Sequence, residues 1–186
     1  MRKLFTLFLL FIIFMPLINI TNANAYLLKE LQALSASSYK LGFFMRGKNK
    51  NLAPAQSYRG CKALILQKLN PALSKKANNR VAKLIYDFSP ADITYCFMGY
   101  IDTKPQIINS VTDMSYIAGQ KIYKRNPNLS TAGSYVTCQN SVVVIDAGLL
   151  KMQDTNIYKQ FLYYAHPAQD TYCWVGYLDA AGAAAK

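Results

Sequence analysis

One string of residues occurs twice in this chain. Thr94-Tyr95-Cys96-Phe97-Met98-Gly99-Tyr100-Ile101-Asp102 returns as Thr171-Tyr172-Cys173-Trp174-Val175-Gly176-Tyr177-Leu178-Asp179, 77 residues later. Cys61 and Cys138 are 77 residues apart as well. The same register runs without a gap from Ser38-Tyr39 on Ser115-Tyr116 through Gly42/Gly119, Asn51-Leu52/Asn128-Leu129, Ser57-Tyr58/Ser134-Tyr135, Asn79/Asn156, Tyr86/Tyr163 and Pro90-Ala91/Pro167-Ala168. An internal repeat outranks local propensity, because both copies must accept the same arrangement of elements.

Each copy holds one early and one late cysteine. Four cysteines allow three pairings, and the repeat favours Cys61–Cys96 with Cys138–Cys173. Zinc is the competing use of four cysteines, but no Cys-x-x-Cys spacing occurs. Disulfides need an oxidising compartment, and the N-terminus is suited to reaching one. Arg2 and Lys3 precede an apolar run from Leu4 to Ile20, and Ala23-Asn24-Ala25 has the small-x-small form of a cleavage site. Pro16 and the polar exit Asn19-Ile20-Thr21-Asn22 favour cleavage over retention as an anchor. Residues 1–25 are therefore read as a signal peptide, 26–102 as a basic first repeat and 103–186 as a second repeat. No segment of the mature chain approaches the ~20 apolar residues of a membrane span. The expected location is periplasmic or secreted.

The fold class expected is all-α: two tandem four-helix repeats, each stapled by one disulfide. Leu27, Leu31, Leu34, Leu41 and Met45 mark one face of a first helix, and Ile107, Val111, Met114, Ala118 and Ile122 mark its counterpart. The second opens with Pro105, tolerated in a first turn. Gly47 to Gln56 and Lys124 to Gly133 read as loops. Ser57 and Ser134 are placed to cap second helices, the first of which Asn70-Pro71 should stop. Val142-Val143-Val144-Ile145 has strand propensity, but its match in the other copy, Leu64-Ile65-Leu66-Gln67, is helical in composition, so both are assigned to helices. Third helices are expected over Leu73 to Phe88, with Ala77, Val81, Leu84 and Phe88 on one face, and over Asp154 to Ala165, with Ile157, Phe161 and Tyr164. The fourth begins at Ser89-Pro90-Ala91-Asp92, with Ser89 as cap and Asp92 returning a hydrogen bond; His166-Pro167-Ala168-Gln169 is its twin. Gly99 and Gly176 then sit inside helices, as a close helix–helix approach would require.

Charge is uneven. Without Arg2 and Lys3 the chain keeps 19 basic against 9 acidic residues, and the first repeat alone carries 12 against 4. Such a field draws anionic partners without dictating fold. The candidate binding residues are Arg46, Lys48, Lys50, Arg59 and Lys62 around the first loop, with Lys75, Lys76, Arg80 and Lys83 on the third helix. A merely solvated basic face competes with this reading, since the aromatics look structural and not interleaved with the charges. The repeated tyrosines, Tyr39, Tyr58, Tyr86, Tyr95, Tyr100 and their partners, are expected in or near the core.

Catalytic chemistry has few actors. His166 is the only histidine, with Asp170 as the nearest carboxylate in sequence, but its position opposite Ser89 suits an N-cap. Asp102 and Asp179 are the only acidic residues kept by both copies. Asp102 is placed to cap the helix of Pro105, whereas no helix follows Asp179 for it to cap. Phosphate loops, nucleophile elbows and metal-ligand motifs are absent, so no cofactor and no enzymatic activity are expected. Asn128-Leu129-Ser130 is a glycosylation sequon, relevant only in a eukaryotic host.

The Tyr-Cys-x-x-Gly-Tyr-[Ile/Leu]-Asp stretches, Tyr95 to Asp102 and Tyr172 to Asp179, resemble the Cys-x-Gly-Tyr-Ile helix of the Tai-type immunity proteins. The resemblance covers about eight residues per copy, with the Cys-to-Gly spacing one longer here. It implies a small, exported, helical, disulfide-containing binding protein, such as those that neutralise cell-wall-degrading effectors of type VI secretion. The function expected is accordingly an exported, non-enzymatic interaction protein of the cell envelope, an inhibitor or immunity-type protein with an acidic macromolecular partner. The alternative is a binder of anionic envelope components, lipid or polyanion, through the first repeat; a small hydrolase using Asp102, Asp179 or His166 ranks third.

Overall fold

The computed structural model describes residues 26–75, 84–102, 104–153 and 155–184. The expected signal peptide lies outside them, as do Ala77, Lys76, Arg80, Val81 and Lys83 of the expected third helix. Among the described residues the chain is helical throughout, with no strand. The elements are α1 Tyr26–Lys48, α2 Pro54–Leu64, a π-helical turn Ile65–Leu69, α3 Asn70–Ser74, α4 Ser89–Tyr100, α5 Pro105–Arg125, α6 Thr131–Met152 and α7 Asn156–Ala184. Val142 to Ile145 are helical within α6: Val142 is buried, while Val143 and Val144 face outward.

Both disulfides form as the repeat requires, Cys61–Cys96 with Cα atoms 5.7 Å apart and Cys138–Cys173 with 5.6 Å. They staple α2 to α4 and α6 to α7. Such bonds are characteristic of an oxidising, non-cytoplasmic compartment. No described helix is long and apolar enough to cross a membrane.

Glycines bring the stapled helices against α1 and α5. A Cβ on Gly42 would overlap the Cys96 carbonyl, and one on Gly99 the Tyr39 carbonyl. In the second copy Gly119 meets the Cys173 carbonyl and Gly176 the Tyr116 carbonyl in the same way. The backbones therefore touch, which only residues without a side chain permit. The main core mixes both copies: Leu27, Leu31, Phe88 and Met98 of the first share it with Ile108, Val111, Val142 and Val175 of the second. At the seam the equivalent rings Tyr95 and Tyr172 stack on one another, 6.1 Å between centroids.

Several boundaries differ from expectation, each for a local reason. Asn70-Pro71 does not stop the second helix. Pro71 has no N–H to give and crowds the preceding turn, and the chain widens into the π turn, where the Asn70 N–H reaches the Ile65 carbonyl. Ser57 and Ser134 are not caps; their hydroxyls bond back to Pro54 and Thr131 carbonyls within the helix. The caps lie one turn earlier: Ser130 Oγ accepts from the Gly133 N–H, and the Gln56 side chain accepts from the Ala53 N–H. The loops shrink accordingly to residues 49–53 and 126–130. The third and fourth segments of the second copy are one helix, α7, which carries Pro167 in its interior. Ile157, expected on a buried stripe, is exposed, and Leu162 and Ala165 hold the core positions. Ile107 likewise faces outward, with Ile108 buried in its place.

Candidate functional site

The five basic residues singled out in the sequence fall on two consecutive helices of the first copy and the loop that joins them. Arg46 and Lys48 close α1, Lys50 lies in the following loop, and Arg59 and Lys62 stand on α2. The loop between them is pinned from beneath by Tyr100, whose hydroxyl donates to the Asn49 carbonyl at 2.8 Å and accepts from the Leu52 N–H at 2.9 Å. Tyr177 ties the second loop in the same fashion, to the Asn126 carbonyl and the Leu129 N–H. Gly60 brings α2 against the Met45 thioether. The tyrosine-anchored loop is thus common to both copies.

Its surface is not. Counterparts of Arg46, Lys48, Lys50, Arg59 and Lys62 are Tyr123, Arg125, Pro127, Val136 and Gln139, so a single charge is retained. Phe43 and Phe44 are matched by Gln120 and Lys121. Both phenylalanines are exposed, 57% and 60%, and the Lys48 ammonium lies 4.6 Å from the Phe44 ring centroid. Aromatic and basic side chains are therefore interleaved here, contrary to the sequence expectation, which took the aromatics as structural. Arg46 is partly neutralised by Asp102, at 2.7 Å and exposed to solvent. A pair so placed contributes at most about 1 kcal/mol.

That ion pair also disposes of Asp102 as a helix cap. Asp102 sits in the left-handed region at φ 61°, and Lys104 is the N-cap residue of α5, without a side-chain cap bond. Asp179 takes the capping role instead, for a helix 152 residues earlier in the chain. The Leu27 N–H donates to its Oδ1 and the Leu28 N–H to its Oδ2, each at 3.0 Å. The two conserved-in-both-copies aspartates thus have different partners, which supplies no shared acid pair.

His166 is the second group of chemical interest. It lies inside the continuous helix α7, so it is not an N-cap. Its Nδ1 is 2.9 Å from Asp146 Oδ2 on α6, and its Nε2 is 3.7 Å from Asp170 Oδ1 one turn along α7. Gln169 holds the other Asp146 oxygen with a 2.8 Å hydrogen bond. The hydrogen bond to Asp146 raises the His166 pKa, against the opposing effect of burial, with Asp170 and the Asp146 charge adding to the rise. Burial raises that of Asp170. Asp146, unreadable from local spacing, is the partner sequence reasoning missed. The arrangement orients an imidazole and favours its protonated form. No serine, cysteine or threonine nucleophile is among its hydrogen-bond partners. Among the described residues no cluster of His, Cys, Asp or Glu could hold a metal ion.

A groove of about 540 Å³ crosses the seam between the copies, lined by Tyr39, Tyr95 and Tyr172 with Lys40 and Asp113. Tyr95 is fixed by its hydroxyl to Asn109, at 2.8 Å. Of the other repeated tyrosines, Tyr86 and Tyr163 are exposed and do not belong to the core. Comparisons with protein-family profiles, with curated proteins and with solved structures find no match to this chain.

Proposed function

We propose that the protein is an exported, non-enzymatic binding module of the cell envelope that docks on anionic membrane surfaces through the basic–aromatic end of its first copy. The observation that carries this reading is the exposure of Phe43 and Phe44 on the helix turn that also bears Arg46 and Lys48, with the Lys48 ammonium over the Phe44 ring. Aromatic rings favour the boundary between headgroups and acyl chains. Each nearby lysine or arginine adds about 1 kcal/mol of attraction to an anionic leaflet. The combination is what peripheral attachment needs, since neither a few charges nor two rings alone would hold. The contrast between the copies supports the same conclusion: the loop and its tyrosine anchor repeat, while the rings and most of the charges do not.

The test is co-flotation of the purified protein with vesicles of neutral phosphatidylcholine, alone or with about a third anionic phosphatidylglycerol. Binding is expected on the anionic vesicles only. Phe43→Ala with Phe44→Ala should weaken it at least about tenfold at fixed salt, the loss of two inserted rings. Lys48→Glu with Lys50→Glu should weaken it further and flatten its salt dependence. Equal retention on both vesicle types, or no effect of either double variant, sinks the proposal. An acidic protein captured in place of lipid would return the reading to an inhibitor.

A further inference from the structure

Asp179 stands near the end of the chain, yet its carboxylate serves the first turn of the first helix. It is 4% exposed and accepts from the Leu27 and Leu28 N–H groups, one on each oxygen. The Tyr116 hydroxyl donates to Oδ2 at 3.2 Å. Burial, and then the Asp179 charge, keep that phenol protonated far above its ordinary range. The repeat does not reproduce the arrangement. The counterparts of Leu27 and Leu28 are Lys104 and Pro105, and Pro105 has no N–H to offer. The contact therefore belongs to the start of α1 itself.

The described part of α1 opens at Tyr26, the residue that follows the small-x-small Ala23-Asn24-Ala25 in the sequence. We propose that Asp179 is the receiving site for the α-ammonium that hydrolysis of the Ala25–Tyr26 bond creates, so that processing locks the first helix onto the last. The inference rests on the export reading above. In the step itself, water adds across the amide: Ala25 leaves as a carboxylate, and the Tyr26 nitrogen keeps its electron pair and is protonated to ammonium. Helix geometry puts that nitrogen one residue before the Leu27 N–H, within about 5 Å of the carboxylate. An ammonium there would otherwise oppose the positive end of the α1 dipole. The buried carboxylate offsets both, and Leu27 and Leu31 beside it are seated in the shared core.

The exported protein is first sequenced at its N-terminus by mass spectrometry, which should return Tyr26. Its α-amino group is then titrated by NMR. The expected pKa lies above the ordinary ~7.7–8.0 by about one unit or more, and returns to the ordinary range in Asp179→Asn. A chain retaining Ala23 to Ala25 should melt several degrees lower than the mature one. In the Asp179→Asn background the same three residues should make no difference. An uncleaved N-terminus overturns this proposal together with the export reading, and cleavage at another bond overturns this proposal alone. Cleavage at Tyr26 with an ordinary α-amino pKa, or an equal cost of the extension in both backgrounds, overturns this proposal alone and leaves Asp179 a simple cap.

Discussion

Asp92 and Gln169 occupy equivalent places in the two copies, both fully buried, and only one of them titrates. Ser89 does not cap α4 as expected; Phe88 is the N-cap residue, and Ser89 Oγ accepts from Asn70 Nδ2 at 2.7 Å instead. Asp92 consequently returns no capping bond. Burial, offset only in part by the Ser38 hydroxyl alongside, pushes its carboxyl up to about 8. The folded protein then holds a proton that the unfolded chain releases near the ordinary 3.8. Stability is greatest below that value and falls as pH rises toward about 8, the region in which only the folded state binds the proton. Asp92→Asn removes the titration, and the amide of Gln169 shows that such a group is tolerated at this place in the fold. The variant should melt at least about 3 °C higher than the wild type at pH 8 and no higher at pH 4. A melting difference that is the same at both pH values would show that Asp92 does not titrate in this window.

At the scale of elements, the glycines make the sharpest prediction. Gly176→Ala drives a methyl into the Tyr116 carbonyl, so α5 and α7 must separate, at a cost of about 3 kcal/mol or more. Gly148→Ala in α6 meets nothing within 4 Å and should stabilise by up to about 1 kcal/mol. Chemical denaturation of the two variants should give midpoints displaced in opposite directions. If both move the same way, close packing is not why α7 keeps its glycine. That close approach was legible from Gly99 and Gly176 alone, as were the disulfide pairs and the helical state of Val142 to Ile145, because a repeat turns one ambiguous segment into two observations. Boundaries were less legible. Whether Pro71 or Pro167 ends a helix depends on what surrounds the lost hydrogen bond. Here a π turn precedes Pro71, and beside Pro167, whose missing N–H leaves the Tyr163 carbonyl without its helical donor, the Thr94 hydroxyl reaches the next carbonyl, that of Tyr164, at 3.3 Å. The candidate site divided along the same line. The basic residues could be read from composition and spacing, but the exposure of Phe43 and Phe44 could not, since a helix face is settled by what packs on it. Asp146 beside His166 and Asp179 beneath Leu27 are contacts between distant segments, which no local pattern encodes.

For the whole molecule, the question is whether two copies behave as one. Each disulfide lies within a single copy, and each closes a loop of 35 residues' separation. By the chain-entropy account each contributes about 4 kcal/mol, mostly by limiting the unfolded ensemble. If the copies were independent, removing one bridge would lower one melting transition and leave the other in place. The packing argues otherwise. The larger core takes residues from both copies, Tyr95 stacks on Tyr172 across the seam, and Asp179 joins the last helix to the first. Even the smaller cluster around Cys61–Cys96 is closed by Tyr164 from the second copy, whose ring lies 4.5 Å from that of Phe97. Cys61→Ala with Cys96→Ala, and separately Cys138→Ala with Cys173→Ala, should therefore each lower a single calorimetric transition by about 10 °C. In both variants the calorimetric enthalpy should equal the van't Hoff enthalpy, as for one cooperative unit. Two resolved transitions, with only the variant copy shifted, would mean that the seam transmits little stability. The duplication would then have produced two neighbours instead of one folded body.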